Sequence, residues 1–191
     1  NTETGENVGQ GVACYPRWKA GLYQHPEYSI FRQHPLDYLE SLEKCITTAL
    51  AELTEEQKDH VIGIGVDTTG STPVPVDKNG TPLALLDEFA ENENAMFFLW
   101  KDHAAAAEAD EINKLFRNNS ENDYTKYQGD YSAEWYWAKI LYAVRHDEAI
   151  RQAAYTWEEH CDWMTGILCG ETRPEKIYHS ACAAGHKALW H

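Results

Sequence analysis

Apolar residues recur at helical spacing directly after Pro35. Proline is well tolerated in the first turn of a helix, and side chains three or four positions apart lie on one helix face. The pattern therefore predicts an amphipathic helix from Pro35 to about residue 53, and residues 54–56 predict a short extra turn. Its apolar stripe consists of Leu36, Leu39, Leu42, Ile46, Ala49, Leu50 and Leu53.

The next apolar run, residues 61–66, has hydrophobic side chains on both faces of an extended chain. This is typical of a central strand covered by helices on both sides. Residues 72–76 predict another strand, and the dipeptide Asn79-Gly80 predicts a hairpin turn into a further strand that ends near residue 86. A glycine-rich strand is also expected at residues 7–15.

The chain after residue 100 is predicted to be mainly helical. The predicted helices cover residues 104–116, 133–145, 148–154 and 157–168, and the predicted loops cover residues 16–35, 118–129 and 174–185. Ile112, Leu115 and Phe116 are expected to pack inward from the first of these helices. Trp157 opens the helical spacing of the last, and Gly170 is its expected C-terminal cap. Strands and helices together indicate one α/β layer structure without internal repeats.

Composition narrows the function classes. With 191 residues, of which 43% are hydrophobic, the chain can form a globular domain with a core. A formal net charge of −15 argues against a nucleic-acid surface or an anionic membrane surface. No apolar run reaches the roughly 18 residues that a membrane-spanning helix needs, and the first residues lack the pattern of a secretory signal. Five irregularly spaced cysteines favour reduced thiols and a cytoplasmic location.

Candidate chemistry begins where the apolar run ends at Asp67. Residues 68–72 form a small, hydroxyl-rich segment, and Trp100 follows between apolar and charged residues. Small residues let a polyhydroxylated ligand approach the main chain, hydroxyl groups bond to it, and an indole covers its apolar face. This combination predicts a sugar site. An ordinary turn and a core tryptophan are the competing interpretations, and core positions are favoured for Trp135 and Trp137.

Other chemistries are less well supported. The segment after Asp67 superficially resembles a phosphate loop, but the chain contains no phosphate-binding P-loop motif. Nine histidines form no recognisable ligand set, so structural zinc is rejected. Pairs such as Glu158-Glu159 and Glu88 with Glu91 would suit glycoside hydrolysis, but chance pairs are expected in so acidic a chain. Lys187 lies in a small-residue segment, where it could bond a hydroxyl or a phosphoryl oxygen; a solvated surface lysine is the competing interpretation.

Several segments in unbroken order resemble the ribulokinase branch of the FGGY carbohydrate kinases, from about Tyr15 to His191. The motifs shared with the wider family correspond to Asp77 through Leu83, to Trp100 through Asp102 in its W-x-D motif, and to Leu168 through Gly170. The segments that carry the resemblance include YPRWKAGLY and YSAEWYWAKIL, and the forms typical of ribulokinases are DTTGSTP, WKDH and AGHKALWH. These favour ribulokinase over xylulokinase or glycerol kinase.

The resemblance implies a ribonuclease H-like fold of the actin and hexokinase type, in which residues 1–191 form part of the amino-terminal, sugar-binding domain. The family transfers the γ-phosphoryl group of MgATP to a sugar hydroxyl, which for ribulokinases is the 5-hydroxyl of L-ribulose. Carried over by position, Gly70 and Ser71 line the sugar pocket, Trp100 covers it, and Lys187 contacts the sugar. Tyr131 and Glu134 are further candidates at the start of the Y-x-x-E-W segment.

The sequence also departs from the family. The first strand with its D-x-G-T/S-x-S phosphate loop is expected before Asn1, and the catalytic aspartate and ATP-binding domain are expected after His191. Asp67 matches a position that is not acidic in related kinases, and Ala104 replaces a frequent arginine. We therefore expect an internal fragment that is inactive alone and carries neither ATP nor Mg²⁺, which belong to the full-length enzyme.

Three alternatives remain open at this stage. They are a related pentulose or pentitol kinase such as xylulokinase, a non-catalytic sugar-binding module, and a glycoside hydrolase with tryptophan subsites. The expected partner is a small sugar, L-ribulose, rather than a nucleic acid or a membrane. The oligomeric state is open, with a homodimer as one option because dimers are common in the family.

Overall fold

A computed structural model describes residues 1–119, 121 and 123–190 of the chain. Its helices are α1 (Pro16–Lys19), α2 (Pro35–Ala51), α3 (Glu55–Asp59), α4 (Ala106–Arg117), α5 (Thr125–Gln128), α6 (Tyr136–His146), α7 (Glu148–Ala153), α8 (His160–Cys169) and α9 (Ala181–Lys187). Its strands are β1 (Gln24–His25), β2 (Ile30–Gln33), β3 (Pro73–Val76), β4 (Phe97–Phe98) and β5 (Thr156–Glu159). Short 3₁₀ turns occupy Pro26–Tyr28, Leu83–Leu85, Asp87–Phe89 and Glu93–Ala95.

The strands form two small antiparallel sheets. One has the order β1-β2-β4, and the other pairs β3 with β5. In the second sheet Val74 lies opposite Glu158 and Pro75 lies opposite Trp157. The mixture of helices and sheet confirms the predicted α/β class at this coarse level.

Helix α2 forms where the sequence predicts it, because its start and its apolar stripe are local signals. Pro35 opens the first turn, and the His34 side chain accepts a hydrogen bond from the Leu36 amide at 3.2 Å. The predicted extra turn is α3, which begins with a capping box between Thr54 and Gln57.

Three apolar clusters make up the described core. The first joins α2, β3, β4 and α8 through Tyr38, Val74, Val76, Phe97, Trp163 and Met164. The second surrounds Leu83, Ala84, Ala95, Met96 and Ile150, and the third surrounds Ala105, Ala109, Tyr131 and Ala138. Because the first cluster packs β3 against β4, it holds the start of β3 close to the end of β4.

The prediction of a buried strand at residues 61–66 is wrong. The segment has no regular secondary structure and pairs with no strand in the described part of the chain, and Ile62 is 87% exposed. A run that is apolar on both faces forms a central strand only when neighbouring strands bond both edges and other layers cover both faces. In this structure neither condition is met, so Ile64 is also exposed.

The hairpin prediction is correct for the turn and wrong for the second strand. Strand β3 is formed, and Gly80 closes the turn at a φ of 78° by donating its amide proton to the Asp77 carbonyl oxygen at 3.0 Å. After the turn only Pro82 bridges back to Val76, and the chain enters a 3₁₀ turn. The partner of β3 is instead β5, which is distant in sequence.

Other predictions are also wrong for segments whose secondary structure depends on contacts with residues distant in sequence. Residues 7–15 form no strand, the predicted loop at 16–35 contains α1, β1 and β2, and the predicted loop at 174–185 overlaps α9. Trp157 lies in β5 and not in the following helix. Leu115 is 60% exposed, whereas Ile112 and Phe116 pack against the third cluster as predicted.

Two remaining predictions concern α5 and α8. The predicted loop at 118–129 contains α5, and its residues 120 and 122 lie outside the described part. Helix α8 ends at Gly170 in the left-handed conformation, as predicted. No helix in the described ranges combines the length and apolar character required to cross a membrane.

Candidate functional site

The hydroxyl-rich loop, defined here as residues 67–72, leads from the exposed segment into β3. Asp67, Thr68 and Thr69 line a cavity of about 450 Å³. Ser71 and Thr72 are buried beneath it at 1% and 0% exposure. The part of the loop that faces this cavity therefore lies slightly earlier in the sequence than predicted.

Trp100 also lines this cavity, directly after β4 and Leu99. Its side chain is 46% exposed, so it is not the core tryptophan of the competing interpretation. The adjacent Lys101 places its ammonium group 4.7 Å from the Trp18 ring centroid and 4.3 Å from the Phe31 ring centroid. These cation–π contacts attach Lys101, the neighbour of Trp100, to the rings of Trp18 and Phe31.

Lys187 reaches the loop from α9. Its ammonium group donates a hydrogen bond to the Gly70 carbonyl oxygen. The Tyr131 hydroxyl donates to the Lys187 carbonyl oxygen at 2.6 Å and accepts from the Trp137 amide at 3.0 Å. Burial raises the pKa of Tyr131, so its hydroxyl remains protonated as a donor.

Glu134 lies at the edge of this arrangement. Its carboxylate is 2.8 Å from Nε2 of His103, which follows Trp100 by three positions. Both side chains are partly exposed, at 50% for His103 and 38% for Glu134. The contact ties the segment before α6 to the end of the W-x-D motif.

Two further residues belong to this arrangement: sequence reasoning did not single out Lys139, and it considered Glu159 only as half of a chance acidic pair. The fully buried Lys139 donates hydrogen bonds to the carbonyl oxygens of Ser71 at 2.7 Å and Leu99 at 2.8 Å. Glu159 accepts a hydrogen bond from the Thr72 amide at 2.5 Å. A single lysine within the apolar stretch of α6 was the available signal for Lys139.

Burial shifts the pKa of both Lys139 and Glu159. It lowers the pKa of Lys139 to about 7, because the charged ammonium loses its hydration. It raises the pKa of the Glu159 carboxyl group for the same reason, and hydrogen bonds from the Thr72 and His160 amides oppose that rise. The loop is thus hydrogen-bonded to two buried ionisable side chains, Lys139 at Ser71 and Glu159 at Thr72.

The predicted residues are brought together, but they do not line one common cavity. Gly70, Ser71, Tyr131 and Lys187 belong to one hydrogen-bonded network, and Lys139 extends that network to the residue before Trp100. The 450 Å³ cavity lies beside this network and is lined by Trp100 but not by Gly70, Ser71 or Lys187. Its lining includes two threonines, a carboxylate and two tryptophans, which suit a small polyhydroxylated ligand.

A second cavity of about 340 Å³ is lined by residues of α6, β5 and α9. Trp137, Glu158 and His179 are among its lining residues. Burial raises the pKa of Glu158 to about 7, and His179 Nδ1 lies 3.6 Å from its carboxylate. Trp137 is 46% exposed and donates its indole proton to the Ala188 carbonyl oxygen at 2.6 Å, whereas Trp135 packs against the third core cluster.

The same residues show neither a metal-binding cluster nor a phosphate loop. Within the described ranges, no group of three or more histidine, cysteine, aspartate or glutamate side chains is arranged to hold a metal ion. The five cysteines, all within those ranges, are unpaired. The residues described here do not fit ATP or Mg²⁺, because neither a phosphate loop nor a carboxylate cluster accompanies the cavity.

Comparison with known proteins shows the class of protein that this chain is similar to. No family model matches the chain. Ribulokinase from Vibrio parahaemolyticus is 50% identical over 192 residues, which cover 100% of this chain and 34% of that protein. Ribulokinases from Bacillus licheniformis and Shouchella clausii are 37% and 36% identical, covering 83% and 93% of this chain and 28% and 30% of those proteins.

The chain is therefore homologous to part of a sugar kinase. More particularly, it is homologous to ribulokinases and spans about a third of the length of the curated relatives it matches. The resemblance noted in the sequence is confirmed.

Proposed function

We propose that this chain forms the sugar-binding part of an FGGY-type ribulokinase with a ribonuclease H-like fold. The intact enzyme would be cytoplasmic and would transfer the γ-phosphoryl group of ATP to the 5-hydroxyl of L-ribulose. The product would be L-ribulose 5-phosphate, an intermediate of L-arabinose catabolism. The ATP-binding domain and the general-base aspartate are expected in other parts of that enzyme, so the isolated chain is expected to be inactive.

One observation carries the proposal. Four of the six residues assigned by resemblance, Gly70, Ser71, Tyr131 and Lys187, belong to one hydrogen-bonded network. The same network reaches the carbonyl oxygen of Leu99, directly before Trp100. Residues this far apart in sequence would be dispersed if each were an ordinary turn or surface residue. Their association supports a single sugar site between the hydroxyl-rich loop and Trp100.

The expected role of these groups is positioning. Phosphoryl transfer requires the acceptor hydroxyl to be held in line with the phosphorus atom, and most of the protein's contribution is alignment and charge stabilisation. The half-exposed Trp100 offers an indole face for the apolar side of a pentulose. The hydroxyls of Thr68 and Thr69, at the same cavity, offer hydrogen bonds to its polar side.

MgATP would supply the phosphoryl group and the charge that neutralises its oxygens. Because the described residues do not fit it, no step is assigned to them beyond holding the sugar and excluding water. This division of labour is consistent with a chain that spans a third of its relatives.

The proposal is tested with the protein produced from its complete coding sequence. ADP release is measured in a coupled assay with L-ribulose, D-ribulose, D-xylulose and ribitol as acceptors. We expect the highest kcat/KM with L-ribulose. A higher value with D-xylulose would assign a related pentulose kinase, and sugar binding without ADP release would assign a non-catalytic module. Either result would overturn the proposal.

A further inference from the structure

Lys139 is the most deeply buried ammonium group in the described part of the chain, at 0% exposure in the first turn of α6. A buried charge is unfavourable unless it is paired or fully hydrogen-bonded. The hydrogen-bond acceptors found for its ammonium group are two main-chain carbonyl oxygens, those of Ser71 and Leu99. Nζ of Lys139 therefore links two main-chain segments that are distant in sequence, one at Ser71 and one at Leu99.

Both segments belong to the candidate sugar site. The Ser71 carbonyl shares its peptide group with the Thr72 amide, which donates to Glu159 at 2.5 Å. The oxygen of this peptide group accepts a hydrogen bond from Lys139, and its nitrogen donates one to the Glu159 carboxylate. The Leu99 carbonyl shares its peptide group with the amide of Trp100, so the second bond acts directly on the residue that carries the indole.

We propose that Lys139 is a positioning residue that sets the spacing between the hydroxyl-rich loop and Trp100, and thereby the shape of the sugar site. The assignment to sugar binding rests on the proposed function, whereas the mechanical coupling of the two segments does not. Lys139 lines neither described cavity, so it acts through its two carbonyl partners and does not contact the sugar.

Burial lowers the pKa of Lys139 most, and charges of both signs surround its ammonium group. Glu159 and Glu134 favour the protonated amine, whereas Arg32 and Lys187 oppose it, and burial is the largest influence. A purely structural core position would be filled at lower cost by an apolar side chain, but that side chain could not bond two carbonyl oxygens. The two bonds explain why a lysine occupies this position.

The test compares Lys139→Met with the matched control Lys114→Met, which changes an exposed lysine of α4, in the protein with its complete coding sequence. For Lys139→Met we expect the KM for L-ribulose to rise about tenfold or more, with the KM for ATP and kcat within about twofold of the control. Hydrogen exchange should accelerate together at the amides of Thr72 and Leu99. A sugar KM equal to that of the control, or wild-type exchange at both amides, would overturn the proposal.

Two further outcomes remain distinguishable. If the wild-type protein does not phosphorylate L-ribulose, the proposed function fails, and hydrogen exchange alone decides whether Lys139 couples the two segments. If Lys139→Met does not fold, Lys139→Arg is used. Arginine keeps the positive charge, but its N–H donors lie in a rigid plane and differ in position from those of the lysine ammonium group. We expect a folded protein with a raised sugar KM, and a wild-type KM would refute the positioning role.

Discussion

Asp102 and Arg32 form an ion pair in which both side chains are fully excluded from solvent. Asp102 also accepts a hydrogen bond from the Phe31 amide at 2.6 Å, and the Arg32 guanidinium lies 3.5 Å from the Phe98 ring centroid. The pair thus ties β2 to the chain directly after Trp100. The aspartate of the W-x-D motif has a structural role in this protein.

Replacing Asp102 by asparagine should therefore destabilise the protein strongly. Asp102→Asn leaves the buried Arg32 charge without a counter-ion, and we expect the free energy of unfolding to fall by about 3–5 kcal/mol. Urea denaturation measures the change. Asp130→Asn removes the partner of Arg117 in an exposed pair and should cost less than about 1 kcal/mol. Similar losses in the two variants would contradict the structural role of Asp102.

Trp100→Ala should weaken sugar binding without unfolding the protein. The indole is 46% exposed and lines the cavity beside the hydroxyl-rich loop, so its loss removes a ligand surface more than core packing. We expect the dissociation constant for L-ribulose to rise about tenfold, which corresponds to about 1.4 kcal/mol. Calorimetric titration of the intact protein measures it. Tyr127→Ala, which removes another exposed aromatic side chain, is the control and should bind the sugar as the wild type does.

Lys187→Met tests the contact between α9 and the loop. The substitution removes the hydrogen bond to the Gly70 carbonyl oxygen while keeping an unbranched side chain. The KM for L-ribulose should rise several-fold, since a lost polar contact costs about 1–3 kcal/mol, and the KM for ATP should change much less. Steady-state kinetics with each substrate varied in turn distinguish the two effects, with the exposed Lys176→Met as control. An equal rise in both constants would remove Lys187 from the sugar site.

Sequence reasoning was most successful where structure depends on nearby residues. Helix α2 is specified by Pro35 and by its own apolar stripe, and the turn at Gly80 is specified by adjacent residues. The segment 61–66 has an equally clear apolar pattern, but its state depends on strands beside it and layers above and below it. The apolar pattern of a segment does not show whether neighbouring strands and covering layers are present.

The candidate site shows the same division. Gly70, Trp100 and Lys187 were predicted as site residues because they lie in recognisable motifs. Lys139 was missed because its partners are main-chain carbonyl oxygens 68 and 40 residues away, and every residue type carries such an oxygen. No choice of side chain at Ser71 or Leu99 could have indicated this contact. Only the packing of α6 against the two segments reveals it.

The turn at Gly80 allows a prediction with a closely matched control. A Cβ atom at Gly80 would lie 1.7 Å from the Thr172 carbonyl oxygen, whereas one at Gly129 would meet nothing within 4 Å. Both glycines have a φ of 78°, so alanine carries similar backbone strain at either position. Gly80→Ala should lower the free energy of unfolding by about 1–3 kcal/mol more than Gly129→Ala, because only the first must displace the main chain. Equal losses in thermal or urea denaturation would show that the contact with Thr172 is easily relieved.

His160 should make the protein sensitive to acid. Its ring is 6% exposed and stacks on Tyr38 with ring centroids 4.0 Å apart, and neither ring nitrogen has a hydrogen-bond partner among the described residues. Burial lowers the pKa of His160 to about 3, so the folded protein keeps the ring neutral where the unfolded chain takes up a proton. Stability is therefore lost as the pH falls from about 6.5 towards 3.

Replacing this ring by an apolar one should remove that loss. His160→Phe keeps the stacking on Tyr38 and has no nitrogen to protonate. Between pH 7.5 and pH 5 we expect the free energy of unfolding of the wild type to fall by about 2 kcal/mol relative to that of the variant. Urea denaturation at the two pH values measures the difference, and His60→Phe, at an exposed histidine, controls for the loss of an imidazole. A stability difference that does not change with pH would mean that water reaches the His160 ring in the folded protein and that its protonation is not linked to unfolding.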